Sequence, residues 1–179
     1  MRGLGKMGKL MAYTLQQISD YIEIRDLCAR YNHYADLADG QNYAALYTED
    51  GEFHIAGIGI YRGRTEIAAA CEATKVTVHV TTDPLIEFAG DTARQNSRAI
   101  FVYRALDGSK NEFVATGRYI DELQRTSEGW RFHCRRAEMD LKVEEALRKM
   151  TVTESFANLS ANLGGGTSTV YGSTASNEY

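Results

Sequence analysis

Between Arg30 and Asp36 the chain reads Arg30-Tyr31-Asn32-His33-Tyr34-Ala35-Asp36, bringing a phenol, an imidazole and a carboxylate onto one short stretch. The surrounding apolar spacing is that of a core-packing helix, where an unpartnered carboxylate costs several kcal/mol. Asp36 must therefore meet water at a helix end beside Asp39, pair with another group, or serve chemistry. His79, in Thr77-Val78-His79-Val80-Thr81, is the second candidate: a single titratable side chain among β-branched residues on a strand. If that strand turns His79 toward Asp36, the carboxylate holds the imidazole in one tautomer and stabilises its protonated form. His79 could then act as a general base near neutral pH. If it faces the other way, His79 is a structural residue.

Other groups are less pointed. His33, His54 and His133 complete no spacing typical of metal ligands, and no metal is expected. Gly57-Ile58-Gly59 lacks the third glycine and the βαβ setting of a dinucleotide loop. Neither a nucleophile elbow nor a Ser-His-Asp order is visible. Arg135 and Arg136 follow Trp130-Arg131-Phe132-His133-Cys134, and strand alternation sends one to each face. Which one reaches the site depends on whether Trp130, Phe132 and Cys134 face inward; Arg136 is carried as the substrate-binding candidate.

The elements that must position these groups follow from periodicity. Apolar residues from Ile18 to Ala38 recur at three- and four-residue steps, which predicts an amphipathic helix, capped by Ser19 or Asp20 and ended by Asp39-Gly40. A helical turn at Tyr43 to Tyr47, strands at Glu52 to Ile55 and Ile58 to Tyr61, and a helix from Thr65 to Thr74 follow. Beyond these the pattern becomes β-rich: Val76 to Phe88, Thr92 to Ala105, Asn111 to Leu123 and Trp130 to Leu141. Gly90-Asp91, Asp107-Gly108 and Ser127-Glu128-Gly129 are the turns. Such an order implies an α+β domain whose helices lie in the hollow of a long antiparallel sheet, with a pocket at the open end. Residues 1–15 read as an extended or disordered segment and 16–141 as the domain. Residues 142–179 read as a helix at Val143 to Met150 and a Gly/Ser/Thr-rich arm that could reach a neighbouring subunit.

Composition narrows the class. The 179 residues are 44% hydrophobic and 25% charged, the balance of a packed domain, and the net charge of -4 argues against a nucleic-acid partner. No apolar run is long enough for a membrane span or signal peptide, and Met11 offers an alternative start. Cys28, Cys71 and Cys134 suit buried free thiols in a reducing cytoplasm.

Taken together, Ile24-Arg25-Asp26-Leu27 leading to Tyr31 and Asp36, then Gly57-Ile58-Gly59-Ile60-Tyr61-Arg62-Gly63, the strand His79 and the closing Gly129-Trp130-Arg131-Phe132 resemble the SnoaL-like branch of the nuclear transport factor 2-like superfamily. Its enzymes include scytalone dehydratase, bile acid 7α-dehydratase and hexachlorocyclohexane dehydrochlorinase. The resemblance covers about Ile18 to Leu141 and implies the cone-shaped, cystatin-like fold, with helices packed in a curved, mixed, mostly antiparallel sheet.

It also implies roles. Asp36 and His79 match the family's dyad, in which the histidine takes a proton from carbon as the leaving group departs. Tyr31 matches the tyrosine that assists the substrate oxygen. The dehydrochlorinase has a lysine at that place, so the pattern favours loss of water or an enolisation over loss of chloride. Phe53, on the first strand, and Tyr34 and Tyr47 are wall candidates. The expectation is a cofactor-independent lyase for a small, largely apolar cyclic substrate. The alternatives are a ketosteroid-isomerase-like isomerase, a polyketide cyclase, and a non-catalytic binding or scaffold domain. Apolar residues on both faces at Ile100 to Tyr103 and Phe113 to Ile120 suggest a homo-oligomer, a dimer or trimer.

Overall fold

Helix α1 (Leu15–Asp36) begins where Thr14 accepts from the Gln17 backbone amide and the Gln17 side chain reaches back to the Thr14 amide, a reciprocal cap. Ser19 and Asp20 thus lie inside the helix and do not cap it. Asp20 is buried and paired with Arg125 at 2.6 Å. Ile24, Leu27, Cys28, Tyr31 and Ala35 form the buried stripe that holds α1 against the sheet.

The coordinates are a computed structural model that describes residues 12–73, 77–104 and 112–140. After α1 come α2 (Gly40–Ala45), β1 (Tyr47–Ile55), β2 (Gly59–Arg62), α3 (Gly63–Ala73), β3 (Thr77–Thr81), β4 (Leu85–Ala89), β5 (Thr92–Arg104), β6 (Glu112–Thr126) and β7 (Gly129–Met139). The expected arm at 142–179 and most of the expected N-terminal segment at 1–15 lie outside the described residues.

The sheet runs β2-β1-β7-β6-β5-β3, with β4 also paired to β5. Among the described residues every pairing is antiparallel except β1 with β7. The expected strand from Val76 to Phe88 is thus two strands. Thr82, Asp83 and Pro84 break it, and Pro has no amide to give a ladder. Each half pairs with a different end of β5: Val80 lies opposite Ile100 and Leu85 opposite Asn96.

One irregularity decides much of the site. Opposite β6, Leu123 pairs with Phe132 and Glu122 with Cys134, so His133 is an extra residue in β7. A bulge of this kind shifts the alternation by one. Phe132 and Arg135 consequently share the inner face, while Cys134 and Arg136 turn outward.

Candidate functional site

Asp36 sits on the last residue of α1, next to β3 at the edge of the sheet. An edge strand presents amides that no neighbouring strand can take. Here the Asp36 carboxylate accepts one of them: Oδ1 receives the His79 backbone N–H at 3.0 Å and His79 Nδ1 at 2.7 Å. One helical turn earlier, Asn32 Nδ2 donates to Thr81 Oγ1 at 2.8 Å. Residues four apart on a helix and two apart on a strand share a face, so the two bonds clip the end of α1 along β3. A carboxylate can only accept, so the shared proton belongs on Nδ1 of His79, and in the neutral form of the ring Nε2 is then the acceptor nitrogen.

The His79 side chain is 10% exposed and that of Asp36 29%. Beside the imidazole stand Phe101, with ring centroids 5.3 Å apart, and Tyr31 at 6.2 Å, both edge-on. Tyr31 is the hub of an aromatic shell that also contains Tyr43, Phe53, Tyr119 and Phe132. Its hydroxyl accepts from Tyr43 Oη at 2.7 Å. Burial pushes the Tyr31 phenol up, against the pull of the Arg135 charge and of hydrogen bonds with Tyr43 and Tyr119. Burial likewise lifts Tyr43 and Tyr47 well above the ordinary phenol. At neutral pH these hydroxyls keep their protons and can donate them in hydrogen bonds.

Behind the shell lies a fully buried ion pair. Arg135 donates through Nε and Nη2 to the two oxygens of Asp121, at 2.8 and 2.7 Å. Gln95 Nε2 also donates to Asp121, and to Cys28 Sγ at 3.1 Å. The guanidinium carbon lies 3.9 Å from the ring centre of Tyr31, 4.0 Å from Phe132 and 4.2 Å from Tyr119. Burial works against the charge of Arg135, but the Asp121 carboxylate outweighs it and holds the guanidinium well above its ordinary value.

Residues 16–136 match the SnoaL-like domain family. This chain belongs to that family. A search of curated proteins finds no match to the sequence. Among solved structures, a protein of unknown function from Mycobacterium tuberculosis superposes on the SnoaL-like chain with a TM-score of 0.71 at 26% identity, over 84% of this chain and 99% of its own. A nuclear transport factor 2-like protein with a cystatin-like fold from Novosphingobium aromaticivorans gives 0.60 at 28% identity, over 74% and 91%. A candidate scytalone dehydratase from the same species gives 0.64 at 20% identity, over 70% and 87%, which is a likeness of fold.

Within the SnoaL-like domain the sequence candidates fall into two groups. Asp36, His79 and Tyr31 come together, with Phe53 and Tyr47 in the same aromatic shell. Tyr34 and Arg136 do not join them. Tyr34 packs on the His33 ring at 5.7 Å and turns its hydroxyl to the exposed Arg30, because its position on α1 lies off the buried stripe. Arg136 is on the outer face, paired with Glu122 at 3.2 Å, because the His133 bulge moves it there. Arg135 is the inward arginine. Tyr43, Tyr119, Phe101, Asp121 and Gln95 were not singled out by sequence reasoning. The alternation of β5 and β6 could have suggested Phe101 and Tyr119, but nothing local marks Tyr43 as the partner of Tyr31.

A separate cleft of about 610 Å³ opens at the start of α1, lined by Gln16, Asp20, Phe88, Asp91 and Arg125 among others. Asp20 and Asp36 are sixteen residues apart on one helix, or roughly 24 Å, so this cleft lies well away from the Asp36–His79 pair.

Proposed function

We propose that the chain is a cofactor-independent lyase that eliminates water from a small, largely apolar cyclic substrate. The observation that carries this reading is the 2.7 Å bond from His79 Nδ1 to Asp36, which leaves Nε2 as the base. A carbon-bound proton beside a carbonyl is acidic enough for a positioned histidine to take. The substrate class is therefore a cyclic compound with a hydroxyl one carbon beyond such a C–H. Nε2 removes the proton, the C–H electron pair becomes the new double bond, and the C–O pair leaves with the hydroxyl, which becomes water by taking a proton from Tyr31; the imidazolium of His79 gives up the proton it took, by way of solvent, to restore Tyr31. The Tyr31–Tyr43 hydroxyl pair supports the departing oxygen as hydrogen-bond donor. Asp36 stabilises the imidazolium that forms, and Arg135 supplies positive potential from behind Tyr31.

Proton transfer by a positioned histidine is worth about 10²–10⁴-fold. Replacing the carboxylate in Asp36→Asn is expected to remove about that much turnover with the fold intact. The assay is mass spectrometry of cyclic β-hydroxy ketones incubated with the protein, in which elimination lowers the mass by one water. An unchanged mass with a moved double bond would favour the isomerase reading. Undiminished turnover by Asp36→Asn would sink the dyad mechanism.

The same reading includes self-association. Val80, Ile100 and Val114 are 54%, 43% and 58% exposed on neighbouring strands of the outer face, an apolar strip suited to another copy of the chain as a dimer or trimer. A reducing cytoplasmic setting is proposed on the three buried free thiols.

A further inference from the structure

The outer face of the sheet carries a second cluster on the strands that hold the site. β1 turns Glu52 and His54 outward around the inward Phe53. Across the parallel pairing, Glu52 lies opposite Cys134, and Phe53 lies opposite Arg135. One donor atom each from Glu52, His54 and Cys134 falls within 4.8 Å of the others. The set of one thiol, one imidazole and one carboxylate matches the ligand types of zinc.

The surroundings leave these donors directed at one another. His54 Nε2 meets Glu52 Oε2 at 2.6 Å, whereas Arg62 takes the other oxygen, Oε1, at 3.0 Å. Arg62 can thus stay on Oε1 while Oε2 turns to a cation. Arg136, opposite His54 in the register, pairs with Glu122, and its charge reaches the Cys134 thiol, where it works against the burial that raises that thiol and favours the thiolate a metal needs. The His54 side chain is only 14% exposed and Cys134 is buried, so the donors sit in a shallow recess with Glu52 at its mouth. Bonds of about 2.0 to 2.3 Å in a tetrahedron put donor atoms roughly 3.3 to 3.7 Å apart, so closing on an ion needs side-chain shifts on the order of 1 Å.

We infer that Glu52, His54 and Cys134 form a divalent transition-metal site, with zinc as the fitting ion and water in the fourth position. Binding releases the Cys134 proton and forms a metal–thiolate bond with no change of oxidation state. The ion would clamp β1 to β7 at the sheet's parallel pairing, directly behind Phe53 and Arg135. The site does not depend on the proposed lyase activity. Sequence spacing did not reveal it because the third ligand comes from a strand 80 residues further along the chain.

The test uses the full chain, reduced and freed of metal, titrated with cobalt(II) chloride and then with zinc chloride. One equivalent of cobalt is expected to give a thiolate-to-cobalt charge-transfer band that zinc abolishes. Cys134→Ser should lose the band. His54→Gln, which keeps a polar side chain at this largely buried position, should weaken zinc binding about tenfold or more by calorimetry. The absence of a band with the unaltered chain, a band that survives in Cys134→Ser, or unchanged zinc affinity in His54→Gln would each overturn the site.

Discussion

Asp36 and Asp121 are both carboxylates paired with a cationic or titratable partner, yet they sit in opposite physical settings. Asp121 is 1% exposed and its oxygens are filled by the two-pronged Arg135 and by Gln95. Its partner cannot lose a proton at any ordinary pH. Asp36 lies at a helix end with nearly a third of its side chain exposed, and its partner is an imidazole. The buried pair fixes the potential behind Tyr31, whereas the edge pair can take up and give back a proton. The first partner is a permanent charge, whereas the second is an imidazole, the kind of side chain that the proposed proton transfer requires.

The sharpest way to break this contrast is Arg135→Met, which strands Asp121 in the core. It should cost about 3–5 kcal/mol, read as a fall in the urea midpoint with unchanged slope. Adding Asp121→Leu should return much of that loss, since a buried pair is often replaceable by apolar packing. If the single variant is as stable as the parent, the pair does not hold the core.

A smaller effect is expected at Asp20, at the other end of α1. Burial works to raise its carboxyl, but hydrogen bonds from Arg125 and Gln16 outweigh it and hold the group below its ordinary value. A depressed folded value means the stabilisation is present above the unfolded value, about 3.9, and is lost as pH falls through the folded one. Asp20→Asn should therefore cost about 2 kcal/mol at pH 7 and close to nothing at strongly acid pH. Equal differences between variant and parent at both pH values would show that Asp20 is not held as an ionised partner.

The smallest stability effect should be that of Asp36→Asn. Its amide oxygen still accepts from the His79 backbone N–H, so thermal unfolding should move by less than about 1 kcal/mol while turnover falls. A large loss of stability would make the clip at the sheet edge the main role of Asp36 and favour the binding or scaffold reading.

Much of the fold was readable in advance, because periodicity is a local property. The buried stripe of α1 is written in the spacing of Ile24, Leu27, Cys28, Tyr31 and Ala35, and the β-rich segments announce themselves by β-branched alternation. Boundaries were less legible. Thr14 caps α1 through Gln17, a reciprocal pair that is visible in hindsight, while Ser19 and Asp20 imitate a cap in the helix interior. Tyr34 had the right chemistry and neighbourhood for the site but lies off the stripe.

By itself, the sequence determined that a carboxylate lies near the end of the first helix, that a lone imidazole stands on a later strand, and that the chain carries the SnoaL-like pattern. Only the tertiary structure decided that the two groups meet, across 43 residues, because the sheet order makes β3 an edge with an amide to spare. It alone decided between Arg135 and Arg136. Alternation is a local rule, but the bulge at His133 arises from how β7 pairs with β6, and a single unpaired residue reverses every side chain after it.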